Sequence, residues 1–185
     1  MRRTLSLCAA VLLLSSCSAG SVEASGDVAM SVSDAVWWTV SGTGDPGEDG
    51  SVMVLLSSSS DLCHALTVSS FLDDQELFAL QAFSGTSGAA VKKGSYSAAA
   101  AGPRAAGQRY AAPAGCHPPT AKEAVATGTL TLDDTPANGS SLSGSFKGTM
   151  AGGIAVTVGF SASSCPAAAN AMTGLATGLK FKSCG

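Results

Sequence analysis

Charge is scarce in this 185-residue chain. Only 12% of its residues are Asp, Glu, Lys or Arg, about half the usual quarter. Basic residues are the scarcer kind. With Arg2 and Arg3 of the leading segment set aside, 8 of the 10 Lys and Arg residues remain against 13 acidic ones. A net charge near −5 argues against nucleic acid and anionic lipid head groups as electrostatic partners. Histidine occurs twice, as His64 and His117. There is no C-x-x-C pair, so the usual spacing of a zinc site is missing. No G-x-S-x-G occurs, which removes the serine-hydrolase elbow. Aromatics make up 5%, too few to suggest a sugar-lined cleft around Asp73-Asp74 or Asp133-Asp134. These acids therefore read as turn residues and not as a glycosidase pair. The apolar run Leu5–Leu14 has ten residues, well short of the roughly 20 that a spanning helix needs.

That run has a different use. Met1-Arg2-Arg3 is a short positive start, Leu5–Leu14 is uncharged, and Leu14-Ser15-Ser16-Cys17 follows. This order resembles the signal segment and lipobox of bacterial lipoproteins. A thiol is the one group there nucleophilic enough to take a diacylglyceryl unit, and the small residues before it admit a peptidase. Cys8 is a poor alternative, because a bulky Leu7 precedes it and too little apolar chain lies before it. The resemblance implies a signal peptide over 1–16, lipid on Cys17, and a membrane partner reached through that lipid. Each buried CH₂ contributes about 0.8 kcal/mol, so several acyl chains anchor stably where one is marginal. Ser18 in place of Asp implies, by the same resemblance, the outer membrane. Residues 17–26 are expected to form a short polar tether, and 27–185 one folded domain.

Four cysteines remain for that domain: Cys63, Cys116, Cys165 and Cys184. An even number in an exported domain predicts two disulfides, with three possible connectivities. The local choice is Cys63–Cys116 with Cys165–Cys184, each closing a loop that contributes about 3–4 kcal/mol. Cys63–Cys165 is the alternative that would tie an early element to a late one. Under the local choice His64 and His117 would lie near one disulfide. Adjacent residues on a strand face opposite ways, so Cys63-His64 and Cys116-His117 read as cystines with flanking histidines. No metal or cofactor is expected.

The rest of the chain reads as strands and turns. Val28, Met30 and Val32 alternate, and Val36–Val40 holds Trp37-Trp38. Residues 42–50 (GTGDPGEDG) form a turn. They match G-x-G-x-x-G formally, but carry a proline and are not followed by a helix pattern. The acids Asp45, Glu48 and Asp49 in it read as a solvated turn, since the spacing is not that of a calcium loop. Val52–Leu56 is continuously apolar, the mark of a strand buried on both faces. Residues 61–70 form a helical turn or loop around Cys63, and the length and aromatics of Glu76–Phe83 favour a strand, with a helix capped by Asp73-Asp74 as the alternative. A strand starts near Tyr96, 98–106 is a low-complexity loop broken by Gly102-Pro103, and Gln108–Ala111 is a short strand. Thr127–Leu132, Leu142–Met150 and Ile154–Phe160 alternate around two turns as a meander. The end, Leu179–Lys182, is one more candidate strand.

This pattern predicts an all-β domain, a single β-sandwich of antiparallel strands with a jelly-roll-like layout. The segments Val54-Leu55-Leu56…Leu62-Cys63 and Gly128-Thr-Leu-Thr-Leu…Gly144-Ser-Phe…Phe160-Ser-Ala…Cys165 resemble a group of small myxobacterial lipoproteins. That group implies a fold and an address and brings no activity. The functional expectation is a non-catalytic, lipid-anchored binding or structural module whose ligand the residues do not name. On a strand, one of Trp37 and Trp38 faces outward, and an exposed indole stacks well on sugars. Carbohydrate binding is thus the alternative, and an envelope hydrolase a distant third.

Overall fold

The computed structural model describes residues 20–24, 29–40, 50–68, 74–86, 89–98, 104–112 and 119–170. The strands are β1 (Gly20–Ala24), β2 (Met30–Val32), β3 (Asp34–Val40), β4 (Ser51–Ser57), β5 (Gln75–Phe83), β6 (Gly94–Ser97), β7 (Arg104–Ala112), β8 (Thr120–Leu132), β9 (Leu142–Met150) and β10 (Ala155–Ser164). One α-helix, α1 (Leu62–Val68), follows β4, and a 3₁₀ turn, Pro166–Asn170, follows β10.

The expected sandwich is corrected to a barrel. Eight strands run β10-β3-β4-β5-β7-β6-β8-β9, and the ring shuts where β9 pairs with β10. The closing strand is β10. It pairs antiparallel with β9 from Ala155 to Ala162, then turns its last residues, Ser163 and Ser164, parallel to Val36 and Trp37 of β3. Closure satisfies backbone groups that the edges of two open sheets would leave unpaired. β1 lies on the other side of β10, with Gly20 opposite Phe160 and Ala24 opposite Val156. Thus Gly20–Ala24, expected in the tether, is part of the sheet. β7 and β8 also outrun their predicted lengths, at 9 and 13 residues.

The interior is filled by side chains. Trp37, Leu56, Phe78, Leu80, Leu130, Phe146, Val158 and Phe160 are among those that meet there. Two glycines of β9 make room for this packing. A Cβ on Gly148 would sit 2.1 Å from the Thr127 carbonyl and 2.7 Å from the Phe146 ring. One on Gly144 would sit 2.6 Å from the Phe160 ring. The rings lie over the bare backbone, a known device for curving a sheet into a barrel.

The two halves of the wall differ. On β9 and β10 the inward residues are buried while Ser145, Lys147, Thr157 and Ser161 are exposed, which is the alternation read in the sequence. On β3, β4 and β5 the outer face is buried too. Val36, Trp38, Met53, Leu55 and Leu77 form a second core with Leu62 and Leu66 of α1 and Ala168 of the 3₁₀ turn. This explains the unbroken apolar run in β4, whose seven residues are all buried.

Candidate functional site

The residues with the most chemistry lie at the barrel rim near α1. Arg109 points inward from β7, next to Phe78 in the register with β5. Its Nη2 donates to Oε1 of Glu76 at 2.6 Å, and its Nη1 donates to Oε2 of Glu123 at 3.1 Å. The three residues come from β5, β7 and β8, so the ion cluster clasps adjacent strands where a bulge interrupts the β7–β8 register. The guanidinium is buried and both carboxylates are partly open to solvent. Burial opposes the charge on Arg109, yet the hydrogen bonds and charges of Glu76 and Glu123 outweigh it and raise its pKa. Glu123 is held below the usual carboxylate range, first by its own backbone N–H and then by Arg109. Two anions spent on one cation form a structural clasp and are poorly placed for proton transfer. Nothing singled these residues out in the sequence. The one available signal is an arginine at an inward position of a strand, and that strand is longer than the expected Gln108–Ala111.

Within the second core sits Tyr110, whose hydroxyl has no hydrogen-bond partner among the described residues. Desolvation pushes its pKa up to about 12. The neutral phenol is favoured by the fold, so its contribution is present below the unfolded value near 10 and is lost as pH rises towards 12. We expect stability to fall over that window by up to about 3 kcal/mol from this group. Tyr110→Phe should remove this part of the alkaline slope without lowering stability at neutral pH. Urea unfolding at pH 7 and pH 11 checks both.

Cys63 is bonded to Cys165, with Cα atoms 5.8 Å apart. This overturns the local pairing of Cys63 with Cys116 and of Cys165 with Cys184. The bond pins α1 to the end of β10, two segments that meet because β10 crosses to β3 and delivers Cys165 beside Trp37, whose carbonyl accepts the Cys165 N–H at 2.8 Å. Cys116, Cys184, His117 and Cys17 lie outside the described residues, as do 41–49 and Asp73. His64 is exposed on α1, and the cystine beside it is not the one that would have brought His117 near. Asp133 and Asp134 lie exposed beyond the end of β8.

The alternative of a sugar-stacking tryptophan finds no exposed indole at Trp37 or Trp38. Trp37 faces into the barrel and Trp38 outward, as strand geometry requires, but both are buried, at 0% and 1% exposure. The indole Nε1 of Trp37 donates to the Ser140 carbonyl at 3.0 Å. Trp38 is covered because the outer face of β3 carries the second core.

At the opposite rim a hollow of about 250 Å³ lies between Val40, Val52, Val91 and Pro136, with Thr39 and Ser51 also lining it. Among the described residues no group of three His, Cys, Asp or Glu is placed to hold a metal, and no helix is long and apolar enough to cross a membrane. No protein-family model, curated protein or solved structure matches the chain.

Proposed function

We propose that the protein is a lipid-anchored, non-catalytic module of the bacterial envelope, attached to the outer membrane through Cys17. The observation that carries this reading is Leu14-Ser15-Ser16-Cys17, placed three residues ahead of a strand of the barrel wall. The Cys63–Cys165 cross-link supports export, because such bonds persist in oxidising compartments. The filled interior supports a scaffold role over carriage of a ligand inside the barrel. With Cys63 and Cys165 joined, we assign Cys116 and Cys184 to each other.

Mass spectrometry of the protein from bacterial membranes tests the reading. The mature N-terminus should be a diacylglyceryl-modified Cys17, and alkylation without reductant should find no free thiol. An unmodified N-terminus beyond Cys17 would refute the anchor. Free thiols at Cys116 and Cys184 would refute the second bond.

A further inference from the structure

We infer that the barrel lies side-on against the bilayer, with the wall formed by β1, β2 and the adjoining part of β10 facing the phospholipid head groups. The inference rests on lipidation of Cys17, and its other premise is distance. Cys17 precedes Gly20 by three residues, so their α-carbons are separated by at most about 11 Å. Gly20 is fixed in the sheet, opposite Phe160 on one side and Val32 on the other. That place is well inside the wall. Beyond Phe160, β10 runs on through Ser164, which lies beside Trp37, and β3 then continues to Val40. Those seven residues extend roughly 23 Å along the strands, or about 18 Å along the barrel axis at the usual tilt. In the other direction β10 runs back five residues from Phe160 to Ala155, ahead of which lies the turn at 151–154, roughly 16 Å along the strands or about 13 Å along the axis. A barrel standing on its rim would hold Gly20 farther from the bilayer than three residues reach. A barrel lying on this wall does not.

The wall suits that contact. Ser21, Ser31, Ser33, Ser161 and Ser163 are exposed around Gly20. Their hydroxyls donate to phosphate and glycerol oxygens without the desolvation cost of a buried charge. Glu23 is the one charged residue of β1, β2 and β10, and Lys147 of the neighbouring β9 offsets it. An acidic chain thus meets an anionic leaflet through a wall that carries a single carboxylate, and the tether, not attraction between charges, supplies the proximity.

The test uses the full lipidated protein in phosphatidylethanolamine–phosphatidylglycerol vesicles. Ser161→Cys on the wall, Ser31→Cys as a second wall position, and Asp134→Cys beyond β8 each carry an environment-sensitive dye. Nitroxide-labelled head groups act as the quencher. Quenching at Ser161 and Ser31 should be several times that at Asp134. A Gly/Ser spacer of about 15 residues between Ser18 and Ala19, with a mean reach near 20 Å, should bring the wall positions down towards the Asp134 level. Equal or reversed quenching in protein whose Cys17 carries its lipid by mass would overturn the side-on posture and leave the anchor standing. Absence of lipid on Cys17 would overturn the anchor, and the posture with it.

Discussion

Replacing Cys63 and Cys165 together by Ala should cost the protein about 4–5 kcal/mol of stability. The two residues are 102 apart in sequence, and in the chain-entropy model a closed loop of about 100 residues contributes ~4.7 kcal/mol. That loop contains β5 through β10, most of the barrel. In a domain of this size 1 kcal/mol moves the melting temperature by about 2–4 °C, so the double variant should melt some 10–20 °C lower. Cooperative unfolding in urea would show a lower midpoint with an intact barrel signature in circular dichroism. A midpoint equal to wild type, under non-reducing conditions, would mean the cross-link does not constrain the unfolded chain. Peptide mapping without reduction should also recover Cys63 joined to Cys165.

Trp37→Ala should be comparably damaging, at about 3–5 kcal/mol. The side chain is fully buried inside the barrel, and its N–H reaches the Ser140 carbonyl beyond β8. Truncation removes the interior contacts and leaves that carbonyl without its donor. Trp37→Phe keeps most of the volume and loses the hydrogen bond, so it should cost much less. Thermal melts followed by near-ultraviolet circular dichroism separate the two variants. An unaltered melting temperature for Trp37→Ala would show that the interior of the barrel does not depend on this side chain.

Much of the local structure was legible. β9 has the predicted bounds, and β3, β4 and β5 match to within two residues, because hydrophobic period and turn residues act over short distances. β7 was read too short because the start of a strand lies in an alanine-rich stretch with no periodic contrast. β8 extends seven residues upstream of the predicted start through Lys122 and Glu123, charged residues that stay near the rim and hide the alternation. The ion cluster was not legible at all. Glu76, Arg109 and Glu123 are far apart in the chain and meet only after β5, β7 and β8 have found their register.

The number of cysteines, the strands of the meander and the doubly buried character of β4 follow from the sequence alone, since each depends on composition or on residues close together in the chain. The choice of barrel over sandwich, the partner of Cys63 and the burial of both tryptophans were decided by tertiary structure. All three depend on one long-range event, the parallel docking of the end of β10 onto β3. With β10 also paired to β9, that docking completes the ring, carries Cys165 to α1, and places the 3₁₀ turn in the second core with Trp38. Alternating apolar residues are equally compatible with a sheet packed on another sheet and a sheet closed on itself. The difference lies in which edges pair, and edge pairing leaves no mark in the local pattern. The scarcity of charge fits the same packing: α1 and the 3₁₀ turn hide the outer faces of β3, β4 and β5, and Ser and Thr hydroxyls cover much of the outer face of β9 and β10.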